Sequence, residues 1–150
     1  MEFNQDFRDM LVALNEAKVK YLVVGAYAVA AHGYPRATGD LDIWVQATTQ
    51  SASGVMQALR AFGAPTHEIN EADFTVPSIV FQIGIPPGRI DLLTSVSGLV
   101  FEAAWLNRVE LTIDNVSFGV VGLDDLIQNK RASGRPKDLA DIVGLNDEKK

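Results

Sequence analysis

The sequence predicts an α/β (α+β) protein of one domain spanning residues 1–150, with a mixed β-sheet flanked by helices. Three observations predict it. Short apolar runs alternate with longer stretches whose apolar residues recur three and four positions apart, the mark of strands between amphipathic helices. Glycine and proline clusters punctuate these segments, with no repeat, low-complexity tract or interdomain linker. A chain of 150 residues with 47% hydrophobic content is long enough to bury one proper core.

The elements follow in order. Phe3 to Val19 carries Phe3, Phe7, Met10, Leu11, Leu14 and Ala17 on one helical face. Tyr21 to Val24 is a short buried strand, Gly25 a turn, and Ala26 to His32 an alanine-rich helix that implies close packing. Gly33-Tyr-Pro-Arg breaks the chain before a strand over Leu41 to Val45. Ser51 or Ser53 caps a helix that runs to Phe62. Gly63-Ala-Pro and Asn70 to Pro77 read as loop, and Ser78 to Ile83 as a buried strand. Ile85-Pro-Pro-Gly is a hard turn leading into the adjoining strand Arg89-Ile-Asp-Leu-Leu-Thr. A short helix covers Val100 to Leu106. Val109 to Ile113 and Val116 to Val121 form a hairpin about Asp114-Asn115. Leu123 to Lys130 and Lys137 to Leu145 are helices joined by Ala132-Ser-Gly-Arg-Pro.

Composition narrows the function. The net charge of −6 argues against broad, nonspecific nucleic-acid binding, which needs a basic surface. The absence of cysteine excludes disulfides, thiolate zinc sites and cysteine nucleophiles. No apolar run approaches the roughly 18 residues that span a bilayer. The N-terminal Met-Glu-Phe-Asn-Gln-Asp lacks the features of a secretory signal, so the expected location is cytoplasmic.

The chemistry concentrates in Asp40-Leu-Asp42. Strand side chains alternate faces, so the two carboxylates point one way while Leu41 and Ile43 point into the core. Paired carboxylates repel unless a cation sits between them, and hard oxygen donors at this spacing suit Mg²⁺ or Mn²⁺, with substrate phosphates as further ligands. Asp91, flanked by apolar residues in its own strand, is the third candidate. If the two strands are neighbours, opposed Cβ atoms lie about 5 Å apart, close enough to hold one or two divalent ions, with Asp91 also the candidate general base. The glycine turn at Gly25 and Ala26 opens a helix whose first backbone N–H groups suit a phosphate. Acidic residues also open strands and turns with no ligand role; it is the glycine turn, the helix start and the third aspartate together that favour function. His32 is expected as a satisfied helix-end histidine, Tyr27 as a packing or rim residue, and Trp44 and Trp105 most simply as core or rim aromatics, with a nucleobase-facing role the alternative for Trp44 beside the aspartates.

A second cluster lies in Lys130-Arg131-Ala-Ser-Gly-Arg135-Pro-Lys137-Asp138-Leu-Ala-Asp141. Cations flanking helix ends are commonly solvated and complement the helix dipole. Beside the upstream aspartates, Lys130, Arg135 and Lys137 read instead as a clamp for a triphosphate or an acceptor phosphate. Asp138 and Asp141, three apart on one helix face, are placed to orient Arg135 or Lys137.

Gly25, the Asp40-Leu-Asp42 pair and the later Asp91 together resemble the nucleotidyltransferase superfamily of polymerase β-like fold. With Arg36-Ala-Thr38 before the pair and Arg-Pro-Lys137-Asp138-Leu-Ala-Asp141 downstream, the chain is similar to small bacterial members related to abortive-infection and toxin–antitoxin nucleotidyltransferases. The resemblance covers nearly the whole chain. It implies transfer of a nucleoside monophosphate from an NTP to a protein, an RNA end or a small molecule, with pyrophosphate leaving. Gly25 would bind phosphate, Asp40 and Asp42 would hold the metal ions and Asp91 would complete the site, supported by Arg36, Thr38, Lys130, Arg135 and Lys137. One departure matters: the family most often has serine or a second glycine where this chain has Ala26. The backbone N–H remains, and the lost hydroxyl contact to a charged phosphate is worth about 1.5–3 kcal/mol. A nucleotide- or partner-binding module without turnover, such as one half of a toxin–antitoxin pair, is therefore the alternative. A metal-dependent phosphohydrolase is a third reading, less attractive without a histidine cluster. One small domain covers its substrate poorly, so a site shared with a second subunit is a further expectation.

Overall fold

The computed structural model describes residues 4–34 and 39–149, with side chains to residue 146. The chain opens with helix α1 (Gln5–Glu16), whose buried Phe7, Met10, Leu11 and Leu14 keep the three-four spacing. Asn4 starts it, its side-chain oxygen accepting from the Phe7 N–H at 2.8 Å. The helix is shorter than Phe3 to Val19, because the cap sits at Asn4 and Lys18 takes a left-handed backbone.

Strand β1 (Tyr21–Val24) is buried throughout and runs into helix α2 (Gly25–Ala31). Strand β2 (Leu41–Val45) returns antiparallel to β1, with Val24 opposite Asp42 and Leu22 opposite Trp44. Helix α3 (Thr49–Phe62) packs on α1. Its cap is Thr48 rather than Ser51 or Ser53: the Thr48 hydroxyl accepts from the Ser51 N–H at 3.1 Å, and Ser51 faces inward within the first turn.

Asn70 to Pro77 is not all loop. Asn70 and Asp73 exchange side-chain to backbone hydrogen bonds in a capping box that nucleates a 3₁₀ turn over Glu71–Thr75, and Phe74 from this turn is fully buried. Strand β3 (Val80–Ile83) also departs from the sequence expectation. It begins later than Ser78, which has a left-handed backbone, and it is an edge strand with alternate residues exposed, not a buried one.

Strand β4 (Ile90–Leu93) pairs antiparallel with β3 and parallel with β2. Helix α4 (Phe101–Leu106) brings Phe101 edge-on to Trp44, with ring centroids 5.1 Å apart, so Trp44 is a core residue and not a nucleobase platform. Strands β5 (Val109–Ile113) and β6 (Val116–Val120) form the expected hairpin, with both Asp114 and Asn115 at positive φ, as a two-residue turn of this hand requires. Helices α5 (Leu123–Ser133) and α6 (Pro136–Lys149) pack together; α5 continues past Lys130 until Gly134 ends it in the left-handed region.

The six strands form one mixed sheet in the order β3-β4-β2-β1-β6-β5. β1 and β2 lie at its centre, and their side chains are buried on both faces apart from a half-buried Asp42. Among the described residues, no helix is long and apolar enough to cross a membrane.

Candidate active site

The central strands place the acidic residues. In the parallel pairing of β2 with β4, Asp42 stands directly opposite Asp91, and Leu41, Ile43, Ile90 and Leu92 on the alternate positions are buried. The flanking core therefore locks the register: a slip of either strand by one residue would turn its carboxylate toward the core and its buried apolar neighbours out of it. Asp91 is itself buried.

Two carboxyls held this way disturb each other. Burial pushes the Asp42 carboxyl up to about 6, helped by the Asp91 charge, by a hydrogen bond shared with Asp91 and by Asp40; Arg89 opposes the shift. On the other side of Asp42 lies Gly25, at the junction of β1 and α2 with φ +69. A Cβ at this position would run into the Asp42 carboxylate. Both the backbone angle and this contact demand glycine. No side chain caps α2, and Gly25 and Ala26 of its first turn border the same cleft.

Arg89 answers the negative charge. Its Nε and Nη2 donate to the two oxygens of Asp91 at 2.8 and 3.1 Å, a fork-to-fork pair. Nη2 also lies 3.5 Å from Asp40 Oδ2, and the Arg89 backbone N–H donates to Asp40 Oδ1 at 3.1 Å. Asp40 precedes β2 rather than lying in it, and this contact ties it to the start of β4.

The far wall is the α5–α6 corner. Lys130 is buried and reaches Asp138 at 3.3 Å and Asp141 at 3.1 Å, both of which are also buried. Arg135, on the exposed connection, closes on Asp138 with Nε at 2.7 Å and Nη2 at 3.2 Å. Burial works against ionisation of Asp138, yet Arg135 and Lys130 together hold its carboxyl below the ordinary range. Asp138 and Asp141 therefore orient Arg135 and Lys130, whereas Lys137 is exposed at the rim.

These walls enclose a cleft of about 830 Å³. Asp40, Asp42, Asp91 and Asp141 line it, and so do Arg89, Lys130, Arg135 and Lys137, so the formal charges of the lining side chains cancel.

No protein-family model matches the chain, and neither does any curated protein. Solved structures do. The lincosamide antibiotic adenylyltransferase LnuA, in its lincomycin-bound form, superposes with a TM-score of 0.60 at 17% identity, covering 97% of each chain. A Thermotoga maritima protein assigned as a nucleotidyltransferase gives 0.62 at 14% identity, over 95% of this chain and 91% of that one. An antigenic nucleotidyltransferase-like protein of Paracoccidioides brasiliensis gives 0.53 at 18% identity, over 93% and 74%. The chain has the nucleotidyltransferase fold.

Within this nucleotidyltransferase fold, one cleft gathers Gly25, Ala26, Asp40, Asp42, Asp91, Lys130, Arg135 and Lys137. Arg36 and Thr38 lie outside the described residues. His32 is satisfied, its Nε2 lying 2.7 Å from the Val121 carbonyl oxygen. Arg89 was not singled out by sequence reasoning, although Arg-x-Asp on one strand places both side chains on the same face. Ser95 and Ser97, after β4, and Asn129, on α5, also border the cleft. No sequence signal distinguishes them from ordinary loop and helix-surface residues.

Among the described residues, no three acidic or histidine side chains are gathered into a ready metal cage. The donors present nevertheless fit a divalent cation. Asp42 and Asp91 offer hard oxygens from opposed positions, and burial together with the Asp91 and Asp40 charges disfavours an ionised Asp42, a load that a cation would relieve.

Proposed function

We propose that this protein is a metal-dependent nucleotidyltransferase that moves a nucleoside monophosphate from an NTP to an acceptor hydroxyl or amine. The observation that carries the reading is the Asp42–Asp91 pair opposed in strand register, with Gly25 pressed against it at the start of α2. Asp42 and Asp91, with Asp40 beside them, would hold Mg²⁺ or Mn²⁺. The bound metal would supply charge neutralisation for the triphosphate and lower the pKa of the attacking group.

The chain's own residues supply the rest. Gly25 and Ala26 present backbone to the phosphates without a side chain in the way. Lys130, held by two carboxylates, and Arg135, held by one, offer preorganised positive charge from the opposite wall, and Lys137 adds an exposed one at the rim. The acceptor oxygen or nitrogen attacks the α-phosphorus, the bond from that phosphorus to the bridging oxygen breaks, and pyrophosphate leaves. The acceptor proton passes to Asp91 or to solvent, with Asp91 the candidate base. Because the lining charges cancel, a free triphosphate meets as much repulsion as attraction, whereas two added positive charges per metal tip the cleft toward the metal–nucleotide complex.

A small-molecule acceptor is the favoured class. LnuA, named for adenylyl transfer to a lincosamide, matches this chain along 97% of both lengths, so a protein of this size need not carry a separate acceptor domain. The test incubates the protein with α-labelled NTPs and Mg²⁺ or Mn²⁺ in separate arms containing small hydroxylated or amino compounds, cell protein, or RNA. Label in a small product, lost in Asp42→Asn, is the expected result. Label in protein or RNA would reassign the acceptor class, and no transfer in any arm would overturn the enzymatic reading. Ala26 favours a second reading, a nucleotide-binding module paired with an antitoxin-like partner or a second copy; Mg²⁺-dependent NTP binding with no turnover in every arm would establish its binding half.

A further inference from the structure

The carboxylates of the cleft are already engaged. Arg89 holds both oxygens of Asp91 and reaches Asp40, so the guanidinium stands beside the very groups a divalent cation would need. Its backbone is held as well: the Arg89 carbonyl accepts from the Leu41 N–H at 2.9 Å, and its N–H donates to Asp40. The side chain therefore springs from a rigid position at the mouth of the β2–β4 pair. The Arg89 side chain borders the open cleft and is 26% exposed, so the guanidinium has room to swing away from Asp91 without breaking the core.

We propose that Arg89 is an internal counter-ion that a divalent cation displaces, and that its displaced guanidinium becomes a ligand for the nucleotide phosphates. The inference rests on the nucleotidyltransferase reading above and deepens it by assigning a residue that couples metal to nucleotide. Three features support it. A bidentate pair with Asp91 engages both oxygens at once and sets a full positive charge against them, so metal and Arg89 compete for the same carboxylate. Displacement leaves a permanently charged fork in the cleft that Gly25 and Lys130 also line, where phosphate oxygens would lie. Asp42, opposite Asp91, keeps the site attractive to a cation while Arg89 is in place.

The consequence is opposite in sign for two ligands. Removing Arg89 frees Asp91, so metal alone binds more tightly; it also removes a phosphate contact, so nucleotide binds more weakly. With the carboxylates mostly held by Arg89 in the empty protein, the apparent metal affinity is reduced by the fraction of molecules in which they are free.

The test uses the full chain and two probes, Mn²⁺ alone and the non-transferable α,β-methylene analogue of ATP at saturating Mn²⁺, both by calorimetry at pH 7.5. Arg89→Gln is expected to bind Mn²⁺ about tenfold more tightly and the analogue about tenfold more weakly. Arg89→Lys, which keeps the charge and loses the fork, should fall between. Unchanged or weaker Mn²⁺ binding in a folded Arg89→Gln protein overturns the inference, and so does loss of both ligands together. If Arg89→Gln does not fold, the wild-type Arg89 Nε–H signal in nitrogen-15 NMR decides. It should shift on adding Mg²⁺ if the Asp91 pairing breaks, and an unmoved signal overturns the inference. The underlying reading fails differently: then neither wild type nor Arg89→Gln binds Mn²⁺, and Asp91→Asn changes nothing in either.

Discussion

At the scale of single residues, the cleft is held in a state that costs stability. The folded-state pKa of Asp42, about 6, lies above its ordinary value of 3.8. The stabilisation associated with its proton is therefore full below that ordinary value and is lost as pH rises through about 6. Without metal, melting temperature should fall between pH 5 and pH 7.5 in wild type, and Asp42→Asn should remove that fall. Asp42→Asn should also be more stable than wild type at pH 7.5, by roughly 1–3 kcal/mol, while losing the proposed nucleotidyl transfer. Thermal melts at the two pH values check this; an equally steep fall in Asp42→Asn would show that another group is responsible. Gly25→Ala should cost about 1–3 kcal/mol from the left-handed backbone alone, with a further penalty from the contact with Asp42. Chemical denaturation measures it.

At the scale of elements, the α5–α6 corner combines scaffold and site. Lys130 bridges two buried carboxylates, so Lys130→Ala leaves Asp141 buried without that cation and should destabilise the protein by about 3–5 kcal/mol. Lys137→Ala, at the exposed rim, should leave the denaturation midpoint within experimental scatter and reduce NTP affinity only. Comparing the two by urea unfolding separates the buried cation from the exposed one.

The same scale shows what could be read in the sequence. β1, β2 and the β5–β6 hairpin were legible because their short apolar runs are bounded by glycine, charge or Asp-Asn. The start of α3 was misplaced because threonine and serine are both good caps and the choice depends on which hydroxyl faces the first turn. The 3₁₀ turn was missed although Asn70-x-x-Asp73 has capping-box spacing; no apolar periodicity follows it, and only the burial of Phe74 shows its purpose. β3 read as buried because its composition is apolar, while edge position is a property of the whole sheet.

At the scale of the whole molecule, the site is a meeting of distant segments. Gly25 and Asp42 flank the undescribed residues 35–38, Arg89 and Asp91 come from β4, and the cations come from the C-terminal helices. Sequence order made the three aspartates visible through their flanking apolar residues, but the pairing of Arg89 with Asp91 and of Lys130 with Asp138 depends on tertiary approach. Binding of a metal–nucleotide complex would bridge these segments, so it should stabilise the entire fold. At a ligand concentration one hundred times Kd, the gain is about 2.7 kcal/mol. Mg²⁺ with NTP should raise the melting temperature, EDTA should reverse it, and Asp42→Asn should be blind to both.

The contact between Gly25 and Asp42 also sets an order on change. Position 25 has no room for a larger side chain while the carboxylate at 42 remains, so the two positions are bound to vary together. A lineage that abandoned the chemistry would first have to shorten residue 42, and only afterwards could it begin to lose the glycine. A saturation library built on the wild-type background should therefore tolerate almost nothing at 25, whereas the same library on an Asp42→Gly background should admit asparagine and other residues at ease in a left-handed turn. The history of such a chain would be written in the sequence of its losses, with the turn outliving the acid it was shaped around.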